Sequence, residues 1–351
     1  MFGFSIYLNQ PFTSASRMNL QKMHAAGFTE VFTSMHIPED DISQYTARIK
    51  ALSTACREEH LQLMIDIETS SLPAVGLSLN DPAAILSFGI TGLRIDFGID
   101  NSTIAKLSQY LKIALNASTI AEQDLAVLRA AGANFANIEA WHNYYPRNET
   151  GLERTWFTEK NQWLKTQGLT IQAFVPGDGI LRGPLEEGLP TLEAHRYQHP
   201  LASALDLFNC ETDKVFIGDP TLAKTTLAQF DAFYHQHVIT LYILKSAPCP
   251  PYLFNQHFHN RRDVARDVIR LEEGRPLCQT TIQPEQTSVR LRGSITLDNQ
   301  DYGRYMGELQ ITKHDLPADS RVNVLGKVIQ KDHALLPFIQ AGQAIQLKEI
   351  D

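Results

Sequence analysis

Short apolar runs alternate with helical segments along the N-terminal part of this chain. Each run is apolar at consecutive positions, which is typical of strands covered on both faces in a parallel sheet. Eight such runs occur: Phe2–Leu8, Glu30–His36, Leu61–Glu68, Gly92–Gly98, Leu111–Ser118, Phe135–Trp141, Leu169–Asp178 and Lys214–Asp219. This order of elements predicts a parallel α/β structure.

The segments between the runs carry helix signals. One keeps a helical period through Ile42, Tyr45, Ile49, Leu52 and Cys56. Several end on a glycine just before the next run, as a helix C′ glycine does: Gly27, Gly132 and Gly168. Eight strands alternating with helices predict a (β/α)8 TIM barrel over residues 1–236. The alternative is a doubly wound open sheet, but its glycine-rich first turn is missing from "GFSIYLNQPF".

The pattern changes after Gln236. Residues 237–351 contain a proline cluster and several segments with period-2 alternation, such as "TSVRLRGSITLDN" and "SRVNVLGKVI". These features predict a second, small β domain, built as an antiparallel barrel or sandwich. One segment, "RRDVARDVIRLEEG", is predicted to be helical.

Charge and composition restrict the ligand class. A net charge of −8 argues against nucleic acid, because neutralising phosphates needs a basic face. The four cysteines are not spaced as a zinc pair, and we predict free thiols with neither a metal nor a cofactor. The start "MFGFSIYLNQPF" does not resemble a signal peptide, and no run approaches the ~18 apolar residues of a membrane span. We expect a cytoplasmic protein without a membrane partner, and the sequence is compatible with a homodimer.

Polar residues follow the predicted strands, and in a barrel these positions meet at one rim. Asp96 follows "LRI" and Glu139 follows "FANI", so we expect the strands to deliver both carboxylates to the mouth. Two carboxylates across a barrel mouth suit glycosidic bond cleavage, in which one protonates the leaving oxygen and the other attacks or activates water. Asp178 and Glu193 are the reserve candidates.

Other strand-end residues are candidates for binding a sugar and an anionic group. The stretch "NIEAWHNYYPR" contains aromatics that could pack on a sugar ring, together with an arginine. Guanidinium groups match phosphate and carboxylate, and the long segment from Gly177 to Arg196 supplies more of them. The candidate substrate-binding residues are His36, Glu68, Asn116, His142, Asn143, Tyr144, Arg147, Arg182 and Arg196.

Two other functions remain open at this point. A metal-dependent barrel isomerase or hydrolase could use His36, Asp66, Glu68 and His142, although no HxH or HExxH motif supports this. A non-catalytic carbohydrate-binding protein is the third hypothesis. Sugar binding without release of reducing ends would favour it.

Several stretches together resemble the 6-phospho-N-acetylmuramidase family of bacterial cell-wall salvage. They are "FTSMHIPEDD", "LRIDFG", "IEAWHNYYPRNETGL", "RGPLEEGLPTLEAHR", "NRRDVARDVIR" and "YGRYMGELQI", which occur in this order over nearly the whole chain. The resemblance implies a (β/α)8 barrel followed by a cyclophilin-like β domain. It also implies a cytoplasmic glycoside hydrolase that cleaves the phosphorylated disaccharide MurNAc-6-phosphate–GlcNAc during peptidoglycan recycling.

Overall fold

The chain forms two compact units in a computed structural model, Met1–Leu227 and Ala228–Asp351. The structure describes residues 1–35, 45–67, 71–95, 98–254 and 256–350. The domain boundary predicted from the sequence lies after Gln236. This position is the end of a helix and comes just before the first strand of the second sheet.

The first unit contains a closed parallel barrel, as predicted. Within the described residues its eight strands pair in chain order, and the last pairs with the first. The strands are β1 (Phe2–Ser5), β2 (Phe28–Ser34), β3 (Gln62–Ile67), β4 (Gly92–Ile95), β5 (Lys112–Asn116), β6 (Ile138–Trp141), β7 (Thr170–Val175) and β8 (Lys214–Ile217). Seven of them lie inside the runs predicted from the sequence, whereas β2 begins at Phe28, ahead of its predicted run from Glu30 to His36.

Helices connect the strands. They are α1 (Ser14–Ala25), α2 (Tyr45–Glu58), α3 (Ser71–Ala74), α4 (Pro82–Phe88), α5 (Asn101–Leu107), α6 (Glu122–Ala130), α7 (Arg154–Thr166), α8 (Pro200–Phe208) and α9 (Lys224–Gln236). Gly27, Gly132 and Gly168 have φ values of 92°, 77° and 79°, the left-handed conformation predicted for residues that end a helix. The predicted start of β6 at Phe135 was wrong, because residues Phe135–Asn137 form a 3-10 turn and the strand begins only at Ile138.

Aromatic side chains fill the middle of the barrel. Side chains alternate in direction along a strand, so every second residue points inward. Phe32, Trp141, Phe174 and Phe216 come from four different strands and pack together, with Trp141 and Phe216 ring centroids 4.8 Å apart. This layer divides the interior into an upper part, at the C-terminal ends of the strands, and a lower part.

The lower part of the barrel holds a buried ion-pair group. The Nζ atom of Lys214 lies 2.7 Å from an oxygen of Glu30 and 3.0 Å from an oxygen of Glu139. These residues lie on β8, β2 and β6, which are not neighbours, so the contacts cross the interior. Burial lowers the pKa of the Lys214 ammonium, but attraction to the two carboxylates outweighs burial and raises the pKa overall.

The predicted position of Glu139 at the mouth was therefore wrong. Glu139 is the second residue of β6 and is only 2% exposed. Trp141, the next inward residue on the same strand, donates from Nε1 to Glu139 Oε2 at 2.8 Å and belongs to the aromatic layer above it. The carboxylate is held below this layer by Lys214 and Trp141.

The second unit contains a mixed sheet of seven strands in the described part of the chain, in the order β10-β15-β9-β14-β12-β13-β11. Its pairing differs from the predicted antiparallel one, because β9 and β15 run parallel. The predicted helix over "RRDVARDVIRLEEG" was wrong, since a strand occupies part of it. The elements are β9 (Val238–Lys245), β10 (His257–His259), β11 (Val268–Leu271), α10 (Gly274–Leu277), β12 (Ser294–Asp298), β13 (Leu309–Thr312), β14 (Val322–Val328) and β15 (Ala344–Glu349).

None of the helices in the described ranges is both long enough and apolar enough to cross a membrane. The four cysteines are free thiols, as expected. Cys56 and Cys210 are buried, whereas Cys249 and Cys278 are only half-buried.

The ion-pair group generates a stability prediction. Lys214→Met leaves two carboxylates buried without their counter-charge, so we expect the barrel to lose about 3–5 kcal/mol of unfolding free energy. Urea denaturation followed by tryptophan fluorescence measures this, because all three tryptophans, Trp141, Trp156 and Trp163, lie in the first unit.

Lys165→Met is the matched control for this measurement. Lys165 pairs with Asp213, but the two side chains are 34% and 37% exposed, so its loss should cost less than about 1 kcal/mol. Equal losses in the two variants would contradict a central role of Lys214 in the barrel.

Candidate active site

A connected polar group lies at the C-terminal end of the barrel. Arg94 Nη1 binds Asp66 Oδ1 at 2.7 Å, and Ser34 Oγ donates to Asp66 Oδ2 at 3.1 Å. Arg94 also donates from Nη2 to Asn143 Oδ1. Asp66 and Arg94 are 6% and 4% exposed, so this is a buried ion pair with its polar atoms satisfied.

The strand register brings these residues together. Ser34 pairs with Asp66 on the next strand, and Asp66 pairs with Arg94 on the one after. Asn143 lies two residues beyond Trp141, so the alternation of β6 directs it inward above the aromatic layer. Ser34 and Arg94 were not identified as candidates from the sequence. The available signal was a charged residue at the second-last position of an otherwise apolar run, "GLRI".

Two tyrosines and an arginine form a second part of the mouth. The guanidinium carbon of Arg182 lies 4.4 Å from the centroid of the Tyr7 ring, a cation–π contact. Tyr144 packs edge-on against Phe174 of the aromatic layer, with centroids 5.2 Å apart. Burial raises the pKa of both tyrosines, so their hydroxyls remain protonated at neutral pH. In the described chain the Nε atom of Arg182 is buried without a hydrogen-bond partner.

Asp219 holds the segment that carries Arg182. Its carboxylate follows β8 and accepts hydrogen bonds from the backbone N–H groups of Gly177 at 2.8 Å, Arg182 at 3.0 Å and Leu189 at 3.1 Å. Three bonds to one carboxylate fix both ends and the middle of this segment. Asp219 therefore fixes the backbone that carries Arg182, whereas the guanidinium itself lies over the ring of Tyr7.

Glu193 and Arg196 pair with each other instead of facing a ligand. Arg196 is 4% exposed and donates to both oxygens of Glu193, and also to backbone carbonyls that include those of Tyr145 and Gly188. Glu193 further accepts from the N–H groups of Glu149 and Gly151. Hydrogen bonding to Arg196 and to these N–H groups lowers the pKa of Glu193 to about 2. The structure thus gives these two predicted site residues a loop-fixing role.

Two other predicted residues also have local partners. Asp178 accepts from Ala223 N at 2.8 Å and from Thr226 Oγ1 at 2.5 Å, which places it at the start of α9. The side-chain oxygen of Asn116, the last residue of β5, accepts from Ser118 N at 2.9 Å. Arg147 is exposed on the segment after β6.

His142 lies on the outer side of β6, away from the mouth. It is fully buried, with its ring centroid 4.5 Å from that of Phe157 and its Nε2 2.8 Å from Asn161 Oδ1. Burial is the main cause that lowers its pKa to about 4. The predicted position of His142 on the rim of the barrel was wrong, because the side chain packs under α7.

The remaining predicted residues, His36, Glu68 and Asp96, lie outside the described residues. In the chain they directly follow Met35, Ile67 and Ile95, the latter two being the last residues of β3 and β4. In the part of the chain that the structure describes, no group of three His, Cys, Asp or Glu side chains could hold a metal ion. Of the four residues in the metal hypothesis, Asp66 is at the mouth and His142 is not.

Comparisons with known proteins cover both units. A family model described as 6-phospho-N-acetylmuramidase, N-terminal, matches residues 2–232, and its C-terminal counterpart matches residues 249–348. A solved conserved protein of unknown function from Enterococcus faecalis is 42% identical, with a TM-score of 0.92 and coverage of 99% of this chain and 96% of that one. An uncharacterized B. cereus protein is 24% identical, with a TM-score of 0.73 and 99% coverage of both chains, which shows the shared fold. No curated protein matches.

The buried position of His142 predicts a pH dependence of stability. Its pKa of about 4 in the folded protein lies below the unfolded value of about 6.5, so the unfolded chain binds more protons between these values. Stability should therefore fall as the pH is lowered from 6.5 to 4, by about 3 kcal/mol from this residue. Unfolding free energies measured by tryptophan fluorescence across this range should show a smaller slope for His142→Gln. An unchanged slope would contradict the buried, neutral state of His142.

Proposed function

The chain belongs to the 6-phospho-N-acetylmuramidase family, and from this premise we propose that it is a glycoside hydrolase acting on a phosphorylated amino-sugar disaccharide at the barrel mouth. The proposed substrate is MurNAc-6-phosphate–GlcNAc. This reaction belongs to peptidoglycan recycling, and we place it in the cytoplasm. The C-terminal sheet is proposed to be the cyclophilin-like domain that the resemblance implies.

The observation that carries this proposal is the match of family models to both units, over residues 2–232 and 249–348. The geometry of the mouth adds chemical support. It combines a buried ion pair, the protonated Tyr144 hydroxyl and an arginine stacked on Tyr7, a set suited to a ligand with hydroxyls and an anionic group.

Arg182 is the proposed phosphate-binding residue. A guanidinium presents its N–H groups in a fork that matches phosphate oxygens. Its Nε has no partner among the described residues, and Asp219 fixes its backbone. The exposed Arg147 is the second candidate, for the phosphate or the lactyl carboxylate. Tyr144, which packs on the aromatic layer, and Asn143, which accepts from Arg94, are the proposed partners of hydroxyls or the acetamido group.

The catalytic carboxylates are proposed to lie at the ends of β3 and β4. Asp96 keeps the role predicted from the sequence, because it directly follows β4. Glu139 loses that role, since it is bonded to Lys214 and Trp141 below the aromatic layer. Glu68, which directly follows β3, is now proposed as the partner of Asp96. One carboxylic acid would protonate the leaving oxygen, and the other would attack or activate water. The acetamido group of MurNAc is an alternative nucleophile, which both carboxylates would assist.

Asp66 and Arg94 are proposed to orient the substrate. Their charges neutralise each other, and the Ser34 and Asn143 contacts hold both side chains in place. Rigid polar groups position a substrate without the entropy cost of ordering them during each turnover.

Release of reducing ends from the disaccharide tests the proposed reaction. The protein should cleave the 6-phosphorylated disaccharide and should cleave the dephosphorylated one far more slowly. Equal rates would contradict phosphate recognition, and binding without cleavage of either would favour a carbohydrate-binding protein.

Arg182→Ala should lower kcat/KM for the phosphorylated disaccharide by about 10- to 100-fold, because a hydrogen bond to a charged group is worth about 1.5–3 kcal/mol. Its effect on the dephosphorylated disaccharide should be small. Arg129→Ala is a matched control, since the Arg129 guanidinium also stacks on a ring, 4.5 Å from the Phe135 centroid, outside the mouth. A loss of equal size on both substrates would argue against phosphate binding by Arg182.

Asp96→Asn should lower kcat by roughly 10²–10⁴-fold, the usual contribution of a general acid or base. Glu139→Gln should retain a kcat within about tenfold of the wild type, because an amide can still accept from Lys214 and Trp141. Steady-state rates on folded protein, checked by circular dichroism, measure both. Full activity of Asp96→Asn would remove it from the mechanism, and a larger loss in Glu139→Gln would restore Glu139 to it.

A further inference from the structure

The C-terminal unit contains a pocket of its own, with a volume of about 650 Å³. This size lies within the range of small-molecule sites. Two sequence stretches that the proposed reaction does not use meet here, "NRRDVARDVIR" and "YGRYMGELQI". The lining residues include Arg261, Arg262, Asp263, Arg275, Met306 and Glu308.

Two arginines of this pocket lack a carboxylate partner. Arg261 forms a two-bond ion pair with Asp263, at 2.8 and 3.0 Å. Arg270, beside the pocket, binds Glu308 Oε1 at 2.6 Å through its Nε. With these carboxylates engaged, neither Arg262 nor Arg275 has an ion pair among the described residues, and both side chains are exposed.

The backbone that carries Arg262 is held by a buried side chain. Asn260 is 1% exposed, and its amide donates to the carbonyls of Ile339 at 3.2 Å and Gln340 at 3.1 Å. Its oxygen accepts from Arg270 N at 3.2 Å. These three bonds fix the start of the arginine segment next to β11, and Arg262 of this segment lines the cavity together with Arg275 of α10.

The rest of the lining suits a small polar molecule with a hydrocarbon face. Met306 and Pro276 provide apolar surface, and Glu272 is an exposed carboxylate that can accept from hydroxyls. Glu308 is 5% exposed, and its Oε2 has no hydrogen-bond partner in the described chain. A ligand with hydroxyl donors can bind the exposed carboxylate of Glu272.

We propose that this pocket binds a phosphate-bearing small molecule, with Arg262 and Arg275 on the phosphate and the Met306 side chain against a sugar ring. The site would belong to the C-terminal unit and would be independent of the reaction proposed for the barrel. Inorganic phosphate and sugar phosphates both carry the group that the two arginines would bind, and their relative affinities distinguish them.

Methyl NMR of the full chain, labelled with ¹³C at its six methionine methyl groups, tests the site directly. Met306→Leu assigns the Met306 signal. Glucose 6-phosphate should shift this signal in a saturable way. The affinity for glucose should be lower by about tenfold or more. Inorganic phosphate should compete, also with an affinity about tenfold lower. Equal affinities for inorganic phosphate and glucose 6-phosphate would overturn the sugar part of the proposal.

Variants assign the effect to the two arginines. Arg262→Ala/Arg275→Ala should weaken glucose 6-phosphate binding by about tenfold or more, as loss of charge-assisted hydrogen bonds predicts. Arg266→Ala is the control, because its side chain is 90% exposed and pairs with Asp267 outside the lining. Arg182→Ala should leave the Met306 response intact, which separates this site from the barrel mouth. No Met306 shift, an unchanged affinity in the double variant or loss of the response in Arg182→Ala would each overturn the proposal.

Discussion

The polar mouth of this barrel depends on the alternation of side chains along its parallel strands. On β6, Glu139 and Trp141 point inward at successive levels, and Asn143 follows above them. The same alternation on β2 places Glu30, Phe32 and Ser34 at the lower, middle and upper levels. The aromatic layer therefore separates two buried charged groups. The lower group, around Lys214, joins three strands across the interior, and the upper group, around Arg94, lies on the side of the proposed substrate.

Several charged residues near the mouth form hydrogen bonds that hold the loops in place. The polar groups without such bonds are the ones that remain to bind a ligand. Asp219 fixes the segment from Gly177 to Leu189 through three backbone N–H groups. Arg196 and Glu193 fix the adjacent segments in a similar way. With these carboxylates engaged by the backbone or by Arg196, the Arg182 guanidinium lies over the ring of Tyr7, and its Nε has no hydrogen-bond partner within the described ranges. The proposed phosphate site follows from this distribution of partners.

The barrel itself was predictable from the sequence, because continuous apolar runs and helix-ending glycines are local signals. The level of Glu139 was not, since it depends on where β6 starts. A 3-10 turn at Phe135–Asn137 moves that start to Ile138 and leaves Glu139 only one residue inside the strand. The contacts of Arg196 with Tyr145 and of His142 with Asn161 were also hidden, because these partners lie far away in the chain. The parallel pairing of β9 with β15 is equally non-local.

A crystal structure of Asp96→Asn with the intact phosphorylated disaccharide tests the central claim most directly. The account predicts that the sugar lies at the C-terminal mouth, with its phosphate on Arg182 and its glycosidic oxygen within hydrogen-bonding distance of residue 96. A disaccharide bound away from the mouth, or one whose phosphate contacts neither Arg182 nor Arg147, would contradict it.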